Sequence, residues 1–202
     1  MDRGKACAHS CGFRFHHALQ CKRAPDVTGH GISDAVALDV AELRRTLGSF
    51  ATGVTVATTL DSEGEPKGFT ANSFTSVSLD PPLILVCVDK ASGCYSAFAG
   101  TTHFGVNILC EDQQHLSRTF ASKSADKFAD MTWMSGITGS PIFPDSTAWL
   151  DCQLHDRLEA GDHLIVIGKV LGFGHSPDKR PLGYHRGSYI AFGLENQGMS
   201  TR

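Results

Sequence analysis

With 202 residues, 41% of them hydrophobic and 19% charged, the chain is long enough for one domain with its own core. A formal net charge of −3 gives no basis for nucleic-acid binding, and no run approaches the ~18 apolar residues of a membrane-spanning helix. Seven cysteines, an odd and scattered set, argue against a disulfide framework; with no apolar signal-type segment at the start, a reducing, cytoplasmic setting is expected.

The first stretch differs from the rest. Residues 1–38 hold five Lys/Arg against three Asp/Glu and four of the ten His, with no periodic apolar pattern. Residues 1–37 therefore read as an N-terminal extension, mostly disordered. Cys7, Cys11, His16, His17 and Cys21 supply enough ligands for a zinc ion, but their spacing matches no compact zinc pattern, so no metal site is expected. An upstream stretch read through an early start codon and a weak targeting peptide are equally open readings of this segment.

Ordered patterning begins at Asp39, a plausible N-cap, with Val40, Leu43, Leu47 and Phe50 at helical spacing and Gly53 as the stop. Val54–Thr59 is short and β-branched, a strand. Asp61–Glu65 is a polar turn, and Lys67–Thr70 returns as the second arm of a hairpin. Ser76–Leu79 leads into the breaker Asp80-Pro81-Pro82. Leu83–Val88 is an apolar run expected to be buried on both faces. A short helix over 93–99, a strand over 103–109 and a helix over 112–121 follow; 130–146 reads as irregular. Two long strands, 148–159 and 163–175, join through Ala160-Gly161-Asp162, and 188–194 is a last strand. The order predicts a mainly β domain with a few helices, antiparallel hairpins and a barrel, spanning 38–195 with a tail at 196–202.

The common catalytic signatures are missing: GxGxxG after a strand, a Walker A loop, HExxH, paired CxxC and a GxSxG elbow. Ser124-x-x-Lys127 matches SxxK formally but lacks its partner motifs. What stands out is Gly68-Phe69-Thr70-Ala71-Asn72-Ser73-Phe74-Thr75-Ser76-Val77-Ser78-Leu79-Asp80-Pro81-Pro82. Such hydroxyls and an amide suit a flat ligand edged with carbonyls and ring nitrogens, since small polar groups reach both donors and acceptors. A solvent-facing strand with Thr/Ser cross-strand pairs explains the composition equally well.

That segment resembles the flavin-binding stretch of the flavin reductase-like family, whose fold is the FMN-binding split β-barrel. Thr52-Gly53-Val54-Thr55-Val56 is similar to the family's first strand, and Phe104-Gly105-Val106-Asn107-Ile108-Leu109 to its "fgVNvL" strand. Phe120 with Asp126-Lys127-Phe128 resembles the "F…DKF" segment, and Gly161-Asp162-His163 the GDH turn. Pro181-Leu182, Tyr184-His185-Arg186-Gly187 and Tyr189 resemble the ending, with Gly183 and His185 departing from it. The resemblance runs from about 39 to 194 and points to the reductase partners of two-component flavin monooxygenases.

It implies roles residue by residue. Lys67, Gly68, Phe69 and Thr70, with Asn72 and Ser73, would meet the isoalloxazine and ribityl chain, with Gly68 admitting the ligand through its missing Cβ. Cys87, Val88 and Asp89, then Ser92, Gly93 and Cys94, would sit by the ribityl and phosphate, the latter at a helix start. Lys90 and Arg118 are candidates for added charge, although solvated surface is the plainer reading of each. Phe120 would pack near the flavin, and Lys123 and Lys127 would face phosphates of FMN or FAD. His163 is the catalytic candidate, beside the nicotinamide of NADH or NADPH. Arg186, supported by Tyr184, His185 and Gly187, would hold the dinucleotide phosphates. The implied activity is hydride transfer from NAD(P)H to flavin, with reduced flavin diffusing to a separate monooxygenase, in a homodimer. An FMN-dependent oxidase or monooxygenase on a similar barrel, a non-catalytic flavin binder and a purely structural barrel are the rivals.

Overall fold

The computed structural model describes residues 38–124 and 126–193. The chain divides into two units, Met1–Leu38 and Asp39–Arg202, and the described residues of the second carry everything below. The expectations for residues 1–37, including the zinc reading, and for the tail lie outside the described residues.

Asp39 caps helix α1 (Val40–Leu47) by accepting from the amides of Ala41 and Glu42. The helix stops before the expected Gly53, because the Gly48 amide turns back to Arg44 O and those of Ser49 and Phe50 to Thr46 O and Leu47 O. Its apolar stripe is real but uncovered: Leu47 is 65% and Phe50 78% exposed.

Strand β1 (Thr52–Gly53) leads to β2 (Thr55–Leu60), whose first five residues are fully enclosed. Three buried threonines are tolerated there because each hydroxyl has an acceptor: Thr55 on Ala71 O, Thr58 on Pro141 O and Thr59 on His103 O. The predicted hairpin to β3 (Pro66–Ala71) forms, with Thr58 opposite Gly68. β4 (Thr75–Leu79) and β5 (Pro82–Asp89) pair antiparallel across Asp80-Pro81. Contrary to the two-sided burial expected of 83–88, β5 alternates. Ile84, Val86 and Val88 are buried, whereas Leu83, Leu85 and Cys87 face outward and are only half-buried.

Helix α2 (Tyr95–Gly100), strand β6 (His103–Ile108) and helix α3 (Gln114–Ala121), the last entered through a single 3-10 turn, follow closely as predicted. The irregular stretch contains two short strands, β7 (Met134–Ser135) and β8 (Pro141–Ile142). β9 (Ala148–Ala160) and β10 (His163–His175) are the long hairpin, turning through Gly161 at φ +61°. The ending holds one strand more than the periodicity shows: β11 (Leu182–His185) pairs with β12 (Ser188–Ala191) and with β1.

Seven strands form one antiparallel sheet in the order β3-β2-β6-β9-β10-β5-β4. Its edge strands β3 and β4 are consecutive in the chain, joined only by residues 72–74, so the sheet must curl until its edges approach. It does not close by strand pairing. Instead the Ser73 hydroxyl crosses the gap, accepting from the Cys87 amide at 3.0 Å and donating to Cys87 O at 3.3 Å. The result is a barrel split between β3 and β5. One core fills its interior, with Val86, Val88, Phe98, Phe104, Val106 and Val166 fully buried. A second lies outside β2 and under α3, around Val54, Leu109, Phe120, Phe143 and Leu182. Asn107, wholly buried, braces the second core by donating to Val56 O and accepting from the Phe143 amide.

Candidate active site

The split opens into a cleft of about 930 Å³. Lys67, Gly68, Phe69, Thr70, Asn72 and Ser73 line one side. Cys87, Asp89, Ser92, Gly93 and Cys94 line the other, Phe120, Lys123 and Lys127 cover one end, and His163 stands at the rim. Residues nearly a hundred positions apart thus meet because β3, the end of β5 and the turn into β10 all border the gap. The loop after α3 adds Ser122, which no sequence signal singled out, together with Ser124 and Phe128.

The edge strand offers its backbone to this space. Gly68 O accepts from Cys94 Sγ at 3.0 Å and from Lys127 Nζ at 3.3 Å, so it points away from β2. The amide and carbonyl of one strand residue point the same way, so the Gly68 N–H faces the cleft as well. The missing Cβ, however, serves a different purpose from the one expected. A Cβ at Gly68 would lie 2.9 Å from the Phe120 ring and 3.0 Å from Ala57 O, so the space belongs to Phe120 rather than to a ligand. Phe120 is itself buried edge-to-face on Phe128 with ring centroids 4.9 Å apart.

Several side chains expected to contact a ligand are engaged in building the cleft. Thr70 donates to Ser117 O at 2.7 Å, fastening α3 over β3. Ser73 holds the barrel edge to Cys87, as described. Phe69 points inward and packs edge-to-face on Phe98. The amides of Cys94 and Tyr95 are taken by the hydroxyl and carbonyl of Ser92, which removes the two nearest donors from the expected phosphate seat at the start of α2. Asp89 accepts from the Ala91 amide and shapes that turn. Asn72 remains exposed on the cleft wall.

Two cations behave differently. Lys67 pairs with Asp61 at 3.2 Å; amides of the 61–65 turn, chiefly that of Glu65, and Lys67 hold the Asp61 carboxyl below its ordinary range. Lys127 bonds only the carbonyls of Gly68 and Phe120, the latter at 2.9 Å, and among the described residues has no carboxylate within ion-pair distance. A fixed, uncompensated ammonium in a cleft is a seat for an anionic group.

His163 is placed by the hairpin turn and lies opposite Asp89 in the β10–β5 register. Its Nδ1–H donates to Asp162 Oδ1 at 2.7 Å, leaving Nε2 for the cleft. The hydrogen bond from His163 holds the Asp162 carboxyl below its usual range, and the charges of His163 and Arg44 add to this.

Five predicted contacts are not brought here. Val88 is fully buried in the barrel interior, because side chains alternate along β5 and its neighbours Cys87 and Asp89 take the outward positions. Tyr184, His185, Arg186 and Gly187 sit on the separate three-stranded sheet. There Tyr184 packs edge-to-face on Tyr189, and Arg186 and Gly187 form a turn against the end of α1. Lys90 is held by Glu159, whose hydrogen bond raises the Lys90 pKa, and Arg118 lies over the Tyr189 ring; neither lines the cleft. Cys152, beside the cleft's strands but enclosed, has its thiol pushed up to about 12 by burial and is no nucleophile.

Residues 47–193 match the family model described as flavin reductase like domain. The chain is 49% identical over 151 residues to the reductase component of the flavin-dependent trigonelline monooxygenase of Acinetobacter baylyi, covering 75% of this chain and 48% of that protein. It is 42% identical over 164 residues to the HsaB reductase subunit of a flavin-dependent monooxygenase from Rhodococcus jostii, covering 81% and 84%. Among solved structures, the NADH:FAD oxidoreductase SgcE6 of Streptomyces globisporus, in complex with NAD and FAD fragments, superposes with a TM-score of 0.73 at 39% identity. That match covers 78% of this chain and 94% of the other. The chain spans about half the length of some of the curated relatives it matches, 48% in the Acinetobacter protein and 53% in a Rhizobium meliloti one.

Proposed function

Because this chain belongs to the flavin reductase-like family, we propose that it is an NAD(P)H:flavin oxidoreductase that supplies reduced flavin to a separate monooxygenase. The observation that carries the reading is the cleft in the barrel split. It has an edge strand offering backbone groups on one side, an anchored and unpaired lysine at one end and a histidine at its rim. Its volume is that of a small-molecule site, and its donors suit a flat, carbonyl-edged ring with a phosphate-bearing tail, which is the chemistry of FMN or FAD.

Bound there, a flavin accepts a hydride from the dihydronicotinamide of NADH or NADPH. The chain's part is positioning and electrostatics, since the transfer itself requires no general acid or base. The Gly68 amide and the Asn72 side chain meet the ring edge, Lys127 with Lys123 receives the phosphate, and His163, oriented by Asp162, holds the nicotinamide against the open ring face. The cleft's openness to solvent suits a flavin that must leave as product and reach its monooxygenase by diffusion.

The active form in this reading is a homodimer. Cys87, Ile165 and Leu158 form one row on the outer sheet face, and Leu85, Ile167 and the exposed Asp156 the next. Leu158 is 59% exposed, while Leu85, Cys87, Ile165 and Ile167 are half-buried. An apolar sheet face of this kind is an association surface, and it borders the cleft through Cys87. A cytoplasmic setting agrees with the four free cysteines among the described residues and with the absence there of any helix long and apolar enough to cross a membrane.

The test is oxidation of NADH or NADPH in the presence of FMN, FAD or riboflavin, followed at the nicotinamide absorbance band. Oxidation with at least one pair is expected; none with any pair contradicts the reading. His163→Ala should raise KM for the nicotinamide substrate while leaving flavin affinity close to that of the unsubstituted protein. An equal loss of both would assign His163 to the framework.

A further inference from the structure

The cleft is polarised. Lysines stand at one end, and the rim around His163 carries carboxylates. Asp89 lies directly opposite His163 in the β5–β10 register, and both line the cleft. Opposed residues of antiparallel strands share a face, with Cα atoms about 4.5–5.5 Å apart, so the two side chains leave the sheet together. Asp162, next to His163 in the chain, already accepts the His163 Nδ1–H.

The Asp89 carboxylate is fixed in place. Its Oδ1 accepts from the Ala91 amide at 2.8 Å, and its backbone carbonyl from the Ser92 amide at 2.9 Å. The Lys90 amide donates to Asp162 O at 3.0 Å, tying this turn to the one that carries His163. The charge is also uncompensated. Lys90 is held by Glu159 and Lys67 by Asp61, and Lys127 is anchored on the carbonyls of Gly68 and Phe120. Among the described residues no cation lies within ion-pair distance of Asp89. The Asp162 charge is offset by its hydrogen bond from His163 and by Arg44, so the carboxylate left uncommitted at the rim is that of Asp89.

Hydride transfer separates charge along such a cleft. The C4–H bond of the dihydronicotinamide breaks and its hydrogen leaves with both electrons. The nicotinamide ring then passes from neutral to a single positive charge, and the flavin takes up the matching negative charge. A fixed charge near the point where the opposite charge develops favours the transition state over the neutral ground state. We propose that Asp89 belongs to the nicotinamide site, where its carboxylate favours the cationic nicotinamide ring over the neutral dihydronicotinamide and so promotes departure of the hydride. The proposal rests on the reductase reading and moves Asp89 away from the flavin phosphate, which a carboxylate would repel, to the donor side of the reaction. Lys127 supplies the opposite sign on the acceptor side.

The test variant is Asp89→Asn, which keeps an Oδ1 acceptor for the Ala91 amide and removes only the charge. The full chain, loaded with FMN, is titrated calorimetrically with NAD+, NADP+ and their 1,4,5,6-tetrahydro derivatives. The tetrahydro forms have the shape of the hydride donor, a neutral ring and no hydride to give. Asp89→Asn should weaken the oxidised dinucleotide about three- to tenfold, the scale of one charge several ångströms away at a partly solvated rim, and leave the tetrahydro form unchanged. The difference should shrink at high salt, and Asp89→Glu should retain most of the affinity. A merely structural Asp89 would weaken both ligands together. Absence of binding by either oxidised dinucleotide, unchanged affinity in Asp89→Asn, a parallel loss of both ligands, or an effect confined to FMN affinity overturns the proposal. The two readings fail separately. A charge-dependent preference for the oxidised dinucleotide, without flavin reduction, sinks the reductase and keeps Asp89 at the nicotinamide seat. Flavin reduction with an unchanged preference in Asp89→Asn does the reverse.

Discussion

Gly68 shows how one residue can be read correctly as special and wrongly as to why. The polar run beginning there marks a strand that lines the cleft, yet the missing Cβ makes room for the Phe120 ring at 2.9 Å. Gly68→Ala should therefore act first on stability. Overpacking against a ring already wedged between Phe128 and Phe143 should cost about 1–3 kcal/mol, read as a lower urea midpoint at unchanged slope. A variant of full stability with lost flavin binding would show that the space belongs to the ligand after all. Thr70 and Ser73 carry the same lesson: hydroxyls in a suggestive segment were legible as polar groups meeting something. That they meet Ser117 O and the Cys87 backbone depends on the curl of the sheet, which no local pattern encodes. Lys127 was legible by its motif, and its anchoring by two carbonyls was not.

At the scale of elements, strands and hairpins followed the apolar pattern closely, because β-branched runs bounded by Gly, Pro and Asp leave few alternatives. The long β9–β10 hairpin and the turn at Gly161 fall where periodicity and turn chemistry put them. The misreadings have one physical cause. An uninterrupted apolar run such as 83–88 looks buried on both faces, but alternate residues of it form only a surface that wants cover. The outer row of Leu85, Ile165, Ile167 and Leu158 and the stripe of α1 are apolar without being enclosed by the described residues. If a second copy covers the sheet face, Leu158→Glu should shift the protein to a monomer in sedimentation velocity. Burying a carboxylate without a partner outweighs the apolar contacts that remain. A dimer that persists in Leu158→Glu at unchanged affinity would remove this face from the interface. The strand β11 escaped notice because it is short and holds Gly183, whose Cβ position is filled by Ile190 and Phe192.

For the whole molecule, the decisive feature is that the barrel does not close. Consecutive edge strands β3 and β4 bring the sheet's ends together, a single serine holds the backbones across the gap, and the space left over is the cleft. The proposed function rests on that opening: β3 borders it with its unpaired edge, β5 and β10 border it with Cys87 and His163, and α3 with its loop covers one end. The resemblance in sequence order anticipated this gathering, whereas residues 184–187, assigned to the dinucleotide phosphates, lie on another sheet beside α1. The central claim, that the open barrel holds a flavin for reduction by a nicotinamide, is tested most directly by anaerobic mixing. FMN-loaded protein is mixed with NADH or NADPH, and the oxidised-flavin absorbance is followed. The account predicts stoichiometric bleaching far faster than with free FMN. Bleaching no faster than in the absence of protein, with either nicotinamide and with FAD in place of FMN, would contradict it.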